Sequence, residues 1–185
     1  GNLYLWGSQL EQGNDPTSYI PTSGTSVTRV ADVSETSGLS DYIGQSEGSF
    51  ILDFKCPSGG GGQIYIWDGT LQNRLLLNFY SSNTRIDALA IVGNTLMANE
   101  NLFDQDTTQR TIYGVRYREN DFEVWVNGVL KATESGTFNF WSAGTLDQLD
   151  FNAYNDTAKF SGNVNKVIFT TTYPTDDEMQ QLTTL

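Results

Sequence analysis

The stretch TIYGVRYRENDFEVWVNGVLKAT, residues 111–133, decides how the chain folds. Apolar and polar side chains alternate along it with a period of two, the repeat of a strand whose side chains point to opposite faces. Val115 and Tyr117 fall on one face, Arg116 and Arg118 on the other. Glu119-Asn120-Asp121 reads as a turn, after which Phe122, Val124 and Val126 return on the inner face. Asn127-Gly128 is a favoured two-residue hairpin turn, because both residue types tolerate positive φ.

The same pattern runs outward from this unit, broken by turn residues at regular intervals. Phe50, Leu52 and Phe54 alternate with Ile51 and Asp53 as one strand. QIYIWDG and RLLLNFY form a hairpin, RIDALAIVG closes at Gly93-Asn94, and NVNKVIFTTTY reads as a late, buried strand. LDQLDFNAYND places Leu149, Phe151 and Ala153 on one face and Asp150, Asn152 and Tyr154 on the other. Only the C-terminus is helical: Thr175 and Glu178 make a capping box after Pro174, with Met179 and Leu182 as apolar contacts. About ten short strands and one short helix predict an all-β fold, an antiparallel β-sandwich of the jelly-roll type. The expected organisation is an N-terminal strand and linker arm over residues 1–46 and a sandwich over 47–185.

Composition narrows the function. The 185 residues are 38% hydrophobic and 12% aromatic, enough for a substantial core. The net charge of -12 repels phosphate backbones and anionic membranes, so nucleic acid is not an expected partner. No apolar run is long enough to span a membrane. Histidine is absent, which removes Ser-His-Asp and Cys-His chemistry, and the single Cys56 cannot form an internal disulfide.

Residues 6–33, WGSQLEQGNDPTSYIPTSGTSVTRVADV, resemble a connector between modules of bacteriophage tail-fibre, spike and other virion-surface proteins, and of some secreted bacterial adhesins and enzymes. SGLSDYIGQSEGSFILDF, the hairpin with its Val-Asn-Gly turn, and KVIFTTTYPTDDEMQQLTTL resemble the concanavalin A-like, laminin-G-like sandwich of the same proteins. The resemblance implies a virion or extracellular location, attachment to a host surface glycan, and contacts with other virion or fibre subunits, including copies of this chain. Within the joint, Tyr19, Ile20, Val27 and Val30 call for an apolar surface to pack on.

Strand parity then nominates a sugar-binding set. With Ile64 and Ile66 inward, Tyr65 and Trp67 point outward, as do Asn78, Tyr80, Arg116, Trp125, Asp150, Asn152 and Tyr154. Rings that stack on a pyranose, ringed by amides and carboxylates, suit this chemistry. Calcium is the one cofactor the acidic loops leave open, with Asp104 and Asp106 as candidate ligands and Asp147 with Asp150 as a second pair. Glu119, Asp121 and Glu123 match the E-x-D-x-E spacing of laminarinase-type hydrolases. Retaining hydrolysis, however, needs carboxyls about 5–5.5 Å apart, and residues four apart on a strand lie about 13 Å apart. The expectation is a non-enzymatic glycan-binding module. A structural module for capsid decoration or fibre assembly is the first alternative, and a polysaccharide-active enzyme or its binding module the second.

Overall fold

The computed structural model describes residues 21, 23–25, 34–152, 154 and 158–185. The chain divides into two compact units, Gly1–Val33 and Ser34–Leu185. Tyr19, Ile20, Val27 and Val30 of the joint lie outside the described residues, as does Ala153.

The second unit is a sandwich of two antiparallel sheets. One has six strands in the order β1 (Glu35–Thr36), β10 (Gln148–Asp150), β3 (Gly62–Trp67), β4 (Arg74–Phe79), β5 (Arg85–Val92) and β6 (Thr95–Phe103). The other has five, in the order β11 (Asn163–Thr170), β2 (Gly48–Lys55), β7 (Thr111–Arg118), β8 (Asp121–Val126) and β9 (Val129–Ser135). Alternate residues face the interior, as period two requires: Phe50, Leu52 and Phe54 from β2, Ile64 and Ile66 from β3, Val115 and Tyr117 from β7, Phe122 and Val124 from β8. Each such side chain, fully buried, contributes roughly 1.5–3 kcal/mol. Trp141 enters the same core and donates its Nε1–H to the Ile91 carbonyl at 2.8 Å.

The turns follow their residues. Asn127 (φ 49°) and Gly128 (φ 78°) both take positive φ and join β8 to β9. Asn120 (φ 62°) turns β7 into β8, and its side-chain oxygen accepts from the Phe138 amide at 3.1 Å. Helix α1 (Asp176–Thr183) carries the expected capping box of Thr175 and Glu178. It lies on the outer face of the five-stranded sheet, where Met179 is fully buried against Ile51, Ile112 and Trp125. Gly114 permits that approach, since a Cβ there would meet Thr183 Cγ2 at 2.7 Å. Among the described residues no helix is long and apolar enough to cross a membrane.

Two expectations need correction, and one strand was not foreseen. β11 is not a buried strand: it forms the sheet edge, with its first four residues exposed and a register shift between Val164 and Lys166. Its apolar run says nothing about which strands flank it. Residues 95–103, unassigned from the sequence, form β6, because backbone pairing with β5 outweighs their weak alternation. The strand through Asp150 ends there, where the carboxylate accepts the Asn152 amide at 2.6 Å and turns the chain. Asn152 and Tyr154 therefore do not hold strand positions.

Candidate functional site

Sheet register brings the outward side chains of the six-stranded sheet into rows. Gln63 lies opposite Asn78, Asn78 opposite Asp87, and Asp87 opposite Asn101. Three amides and a carboxylate thus cross four adjacent strands on one face. Beside them Tyr80, Arg85 and Phe103 complete the group, Arg85 standing opposite Phe103.

Asp87 organises this cluster. Its Oδ1 accepts from Arg85 Nε at 2.7 Å, and its Oδ2 from Arg85 Nη2 and the Tyr80 hydroxyl, both at 2.8 Å. Arg85 Nη2 also donates to Asn101 Oδ1 at 2.9 Å. The guanidinium carbon sits 4.5 Å from the Tyr80 ring centroid and 4.9 Å from that of Phe103, a cation held between two rings. The Asp87 carboxylate, accepting the hydroxyl proton, and burial behind it raise the Tyr80 pKa above its ordinary value, so Tyr80 remains a donor. Phe103 is 61% exposed. Gln63 accepts the Tyr65 hydroxyl on its Oε1 at 2.9 Å. The Gln63 and Asn101 side-chain NH2 groups make no hydrogen bond among the described residues and can donate outward. The result is a flat ring on a rigid polar surface with donors to spare, on strands except for Tyr80, which directly follows β4.

The nominated residues divide between opposite faces. Tyr65, Trp67, Asn78, Tyr80 and Asp150 belong to this side of the molecule, as parity requires. Tyr65 and Trp67 are nevertheless buried, packed with Leu76 and flanked by Leu71, Leu89 and Ala158, while Tyr154 meets Trp67 edge-on at 6.3 Å. Tyr154 is itself 42% exposed, Asn152 is half-buried, and Asp150 is buried.

Arg116 and Trp125 lie on the outer face of the other sheet, and the expectation that they stand open to a ligand is corrected. Both are buried, because α1 and the segment before it cover them. Arg116 donates to Glu123 Oε2, to the Pro174 carbonyl at 2.7 Å and to Asp176, and Trp125 Nε1–H donates to Glu123 Oε2 at 2.9 Å. Tyr173 closes the group by donating to Asp121 at 2.8 Å and Glu123 at 3.3 Å. Two carboxylates of the Glu119-Asp121-Glu123 set are thereby tied into structure, and Glu119 sits in the exposed turn between β7 and β8.

Asp104 (φ 59°) and Asp106 occupy the loop after β6, where Asp106 Oδ1 caps a turn by accepting from the Thr108 amide and hydroxyl. No group of three or more His, Cys, Asp or Glu placed to hold a metal ion occurs among the described residues. Cys56 is buried, and burial pushes its thiol up to about 11, which makes it unreactive.

Sequence reasoning missed Gln63, Arg85, Asp87, Asn101 and Phe103. The outward parity of Arg85 and Asp87 within RIDALAIVG was a usable signal, but the partners from β6 emerge only once that strand is paired.

Solved structures share this architecture at low sequence identity. The CBM40 module of the Ruminococcus gnavus IT-sialidase, bound to α2,3-sialyllactose, superposes with a TM-score of 0.63 at 14% identity, covering 77% of this chain and 84% of that one. The fold is concanavalin A-like. Domain 4 of the Geobacillus stearothermophilus arabinanase AbnA, solved with arabinotriose, gives 0.57 at 12% identity over 76% of this chain and 68% of that one. The heptameric SAP-like pentraxin of Limulus polyphemus gives 0.57 at 9% identity over 75% and 70%. No protein-family model matches the sequence, and no curated protein matches it either.

Proposed function

We propose that this chain is a non-enzymatic carbohydrate-binding module that meets its glycan on the outer face of the six-stranded sheet. The observation that carries the reading is the Arg85 guanidinium held between Tyr80 and Phe103 and locked by Asp87, beside the outward amides of Gln63, Asn78 and Asn101. Phe103 supplies the apolar plane a pyranose stacks on, and the amides pair with its hydroxyls. Among structures of the same fold, a CBM40 module bound to sialyllactose and an arabinanase domain in complex with arabinotriose support the reading.

The setting is a phage tail fibre, spike or other extracellular adhesive protein, where the module attaches its carrier to a host surface. This part rests on the resemblance of residues 6–33 to inter-module connectors. A second reading, assembly with other virion or fibre subunits or with copies of itself, is favoured by the exposed Val129 and Leu130 on edge strand β9.

A glycan array, run with and without calcium and followed by titration of the hits, tests the proposal. Phe103→Ala is expected to lower affinity at least tenfold with the fold intact. Absence of binding to every glycan under both conditions sinks the sugar reading and leaves assembly, which the mass in solution then measures.

A further inference from the structure

On the same outer face, at the β3–β4 end, stand two residues whose buried donors the described residues leave unused. Trp67 lies directly opposite Arg74 in the register of β3 and β4. The Trp67 Nε1–H and the Arg74 Nε and Nη1 are buried and have no hydrogen-bond partner among the described residues. Arg74 makes no ion pair among the described residues, whereas Arg85, Arg110, Arg116 and Arg118 each have a carboxylate. The carboxylate that bears on its charge is Asp68, whose oxygens already accept from the Thr70 amide and hydroxyl and from Asn73 Nδ2. Burial lowers the Arg74 pKa from its usual value, but a guanidinium stays charged at any physiological pH.

Two buried nitrogens of a half-buried guanidinium and a buried indole N–H, without acceptors among the described residues, bear a desolvation cost. Hydroxyls could satisfy either group only in part, because each hydroxyl also brings a proton that needs an acceptor. A group that only accepts, and that is negative, fits both donors and the charge. Solvent is one ring away: Arg74 itself is only half-buried, and the partly exposed Tyr154 stands edge-on to Trp67.

We infer that Arg74 and Trp67 form a subsite for an anionic substituent, a carboxylate or a sulfate ester, carried by the bound glycan. The inference rests on the outer face of the six-stranded sheet being the glycan surface. It makes the ligand an acidic saccharide although the chain as a whole is acidic, because the contact charge is local and the net charge of -12 is spread over the whole chain.

The test is an NMR titration of the 15N-labelled 185-residue chain with methyl β-glucuronide, glucose 6-sulfate and the neutral methyl β-glucoside. The four tryptophans give separate indole resonances, and Trp67→Phe identifies the one concerned. The Trp67 indole signal is expected to move with the glucuronide, the sulfate or both, and not with the neutral glucoside; which one moves it names the anion. Arg74→Met should weaken that binding at least tenfold while leaving the other indole signals and the thermal midpoint unchanged or the midpoint higher. If neither anionic sugar moves the signal, or Arg74→Met binds as well as the wild type, the subsite is refuted. Binding of neutral oligosaccharides that remains sensitive to Phe103→Ala then shows the glycan surface itself to be intact. If no sugar of any charge binds, the functional reading falls together with the subsite.

Discussion

The two outer faces of the sandwich carry nearly the same device and put it to opposite use. On the five-stranded sheet, Arg116 lies 4.5 Å from the Tyr173 ring and 5.4 Å from that of Trp125, and pairs with Glu123 and Asp176. On the six-stranded sheet, Arg85 lies between Tyr80 and Phe103 and pairs with Asp87. The Arg116 side chain is 4% exposed and that of Arg85 33%. What separates them is a cover. Helix α1 lies over the first face, and its cation, rings and acids become a clasp that fastens the C-terminus. Among the described residues no such helix lies over Arg85 and Phe103, and Phe103 is 61% exposed. An arginine between aromatic rings is thus a signature of order, and only its exposure says whether that order serves the fold or a ligand.

Arg116→Ala is the strongest way to break the comparison. Removing the cation leaves Glu123 buried without its partner and should cost about 3–5 kcal/mol, read from urea unfolding, with sugar binding by the folded fraction unchanged. A clasp that also touched glycan would lose both. Phe103→Ala is the mirror experiment. Titration should show a loss of at least tenfold in affinity, about 1.4 kcal/mol, while stability moves by less than about 0.5 kcal/mol, as for an exposed side chain.

The seam between β6 and β9 offers a smaller, signed effect. Burial, and then the nearby Glu134 carboxylate, raise the Glu100 pKa above its ordinary 4.5. A carboxyl whose folded pKa is raised favours the fold when protonated. Its contribution is complete below pH 4.5 and disappears as pH rises through the raised value. Glu100→Gln should therefore be more stable than the wild type at pH 7, by up to about 1 kcal/mol, with the gap closing in acid. Thermal melts at the two pH values measure it. Smallest of all is Asp176→Asn. The Asp176 side chain is 75% exposed, so its ion pair with Arg116 is screened, and a loss below about 1 kcal/mol is expected. A larger loss would make the clasp depend on the helix terminus more than on Glu123.

Local chemistry made much of the sandwich readable from the chain. The alternation in residues 111–133, the positive-φ Asn127-Gly128 turn and the Thr175–Glu178 cap depend only on neighbours a few residues apart, and each appears as read. Parity also placed Tyr65, Trp67, Arg116 and Trp125 correctly on outward faces, because alternation belongs to the strand itself. Which outward residues remain open was decided elsewhere in the chain. Arg116 is covered by a carbonyl 58 positions away, and Asn101 reaches the Asp87 cluster only through the β5–β6 register. Burial and cross-strand adjacency are properties of distant segments meeting, so the sequence determined the strands and their two sides, and the tertiary structure alone chose the side that faces a partner.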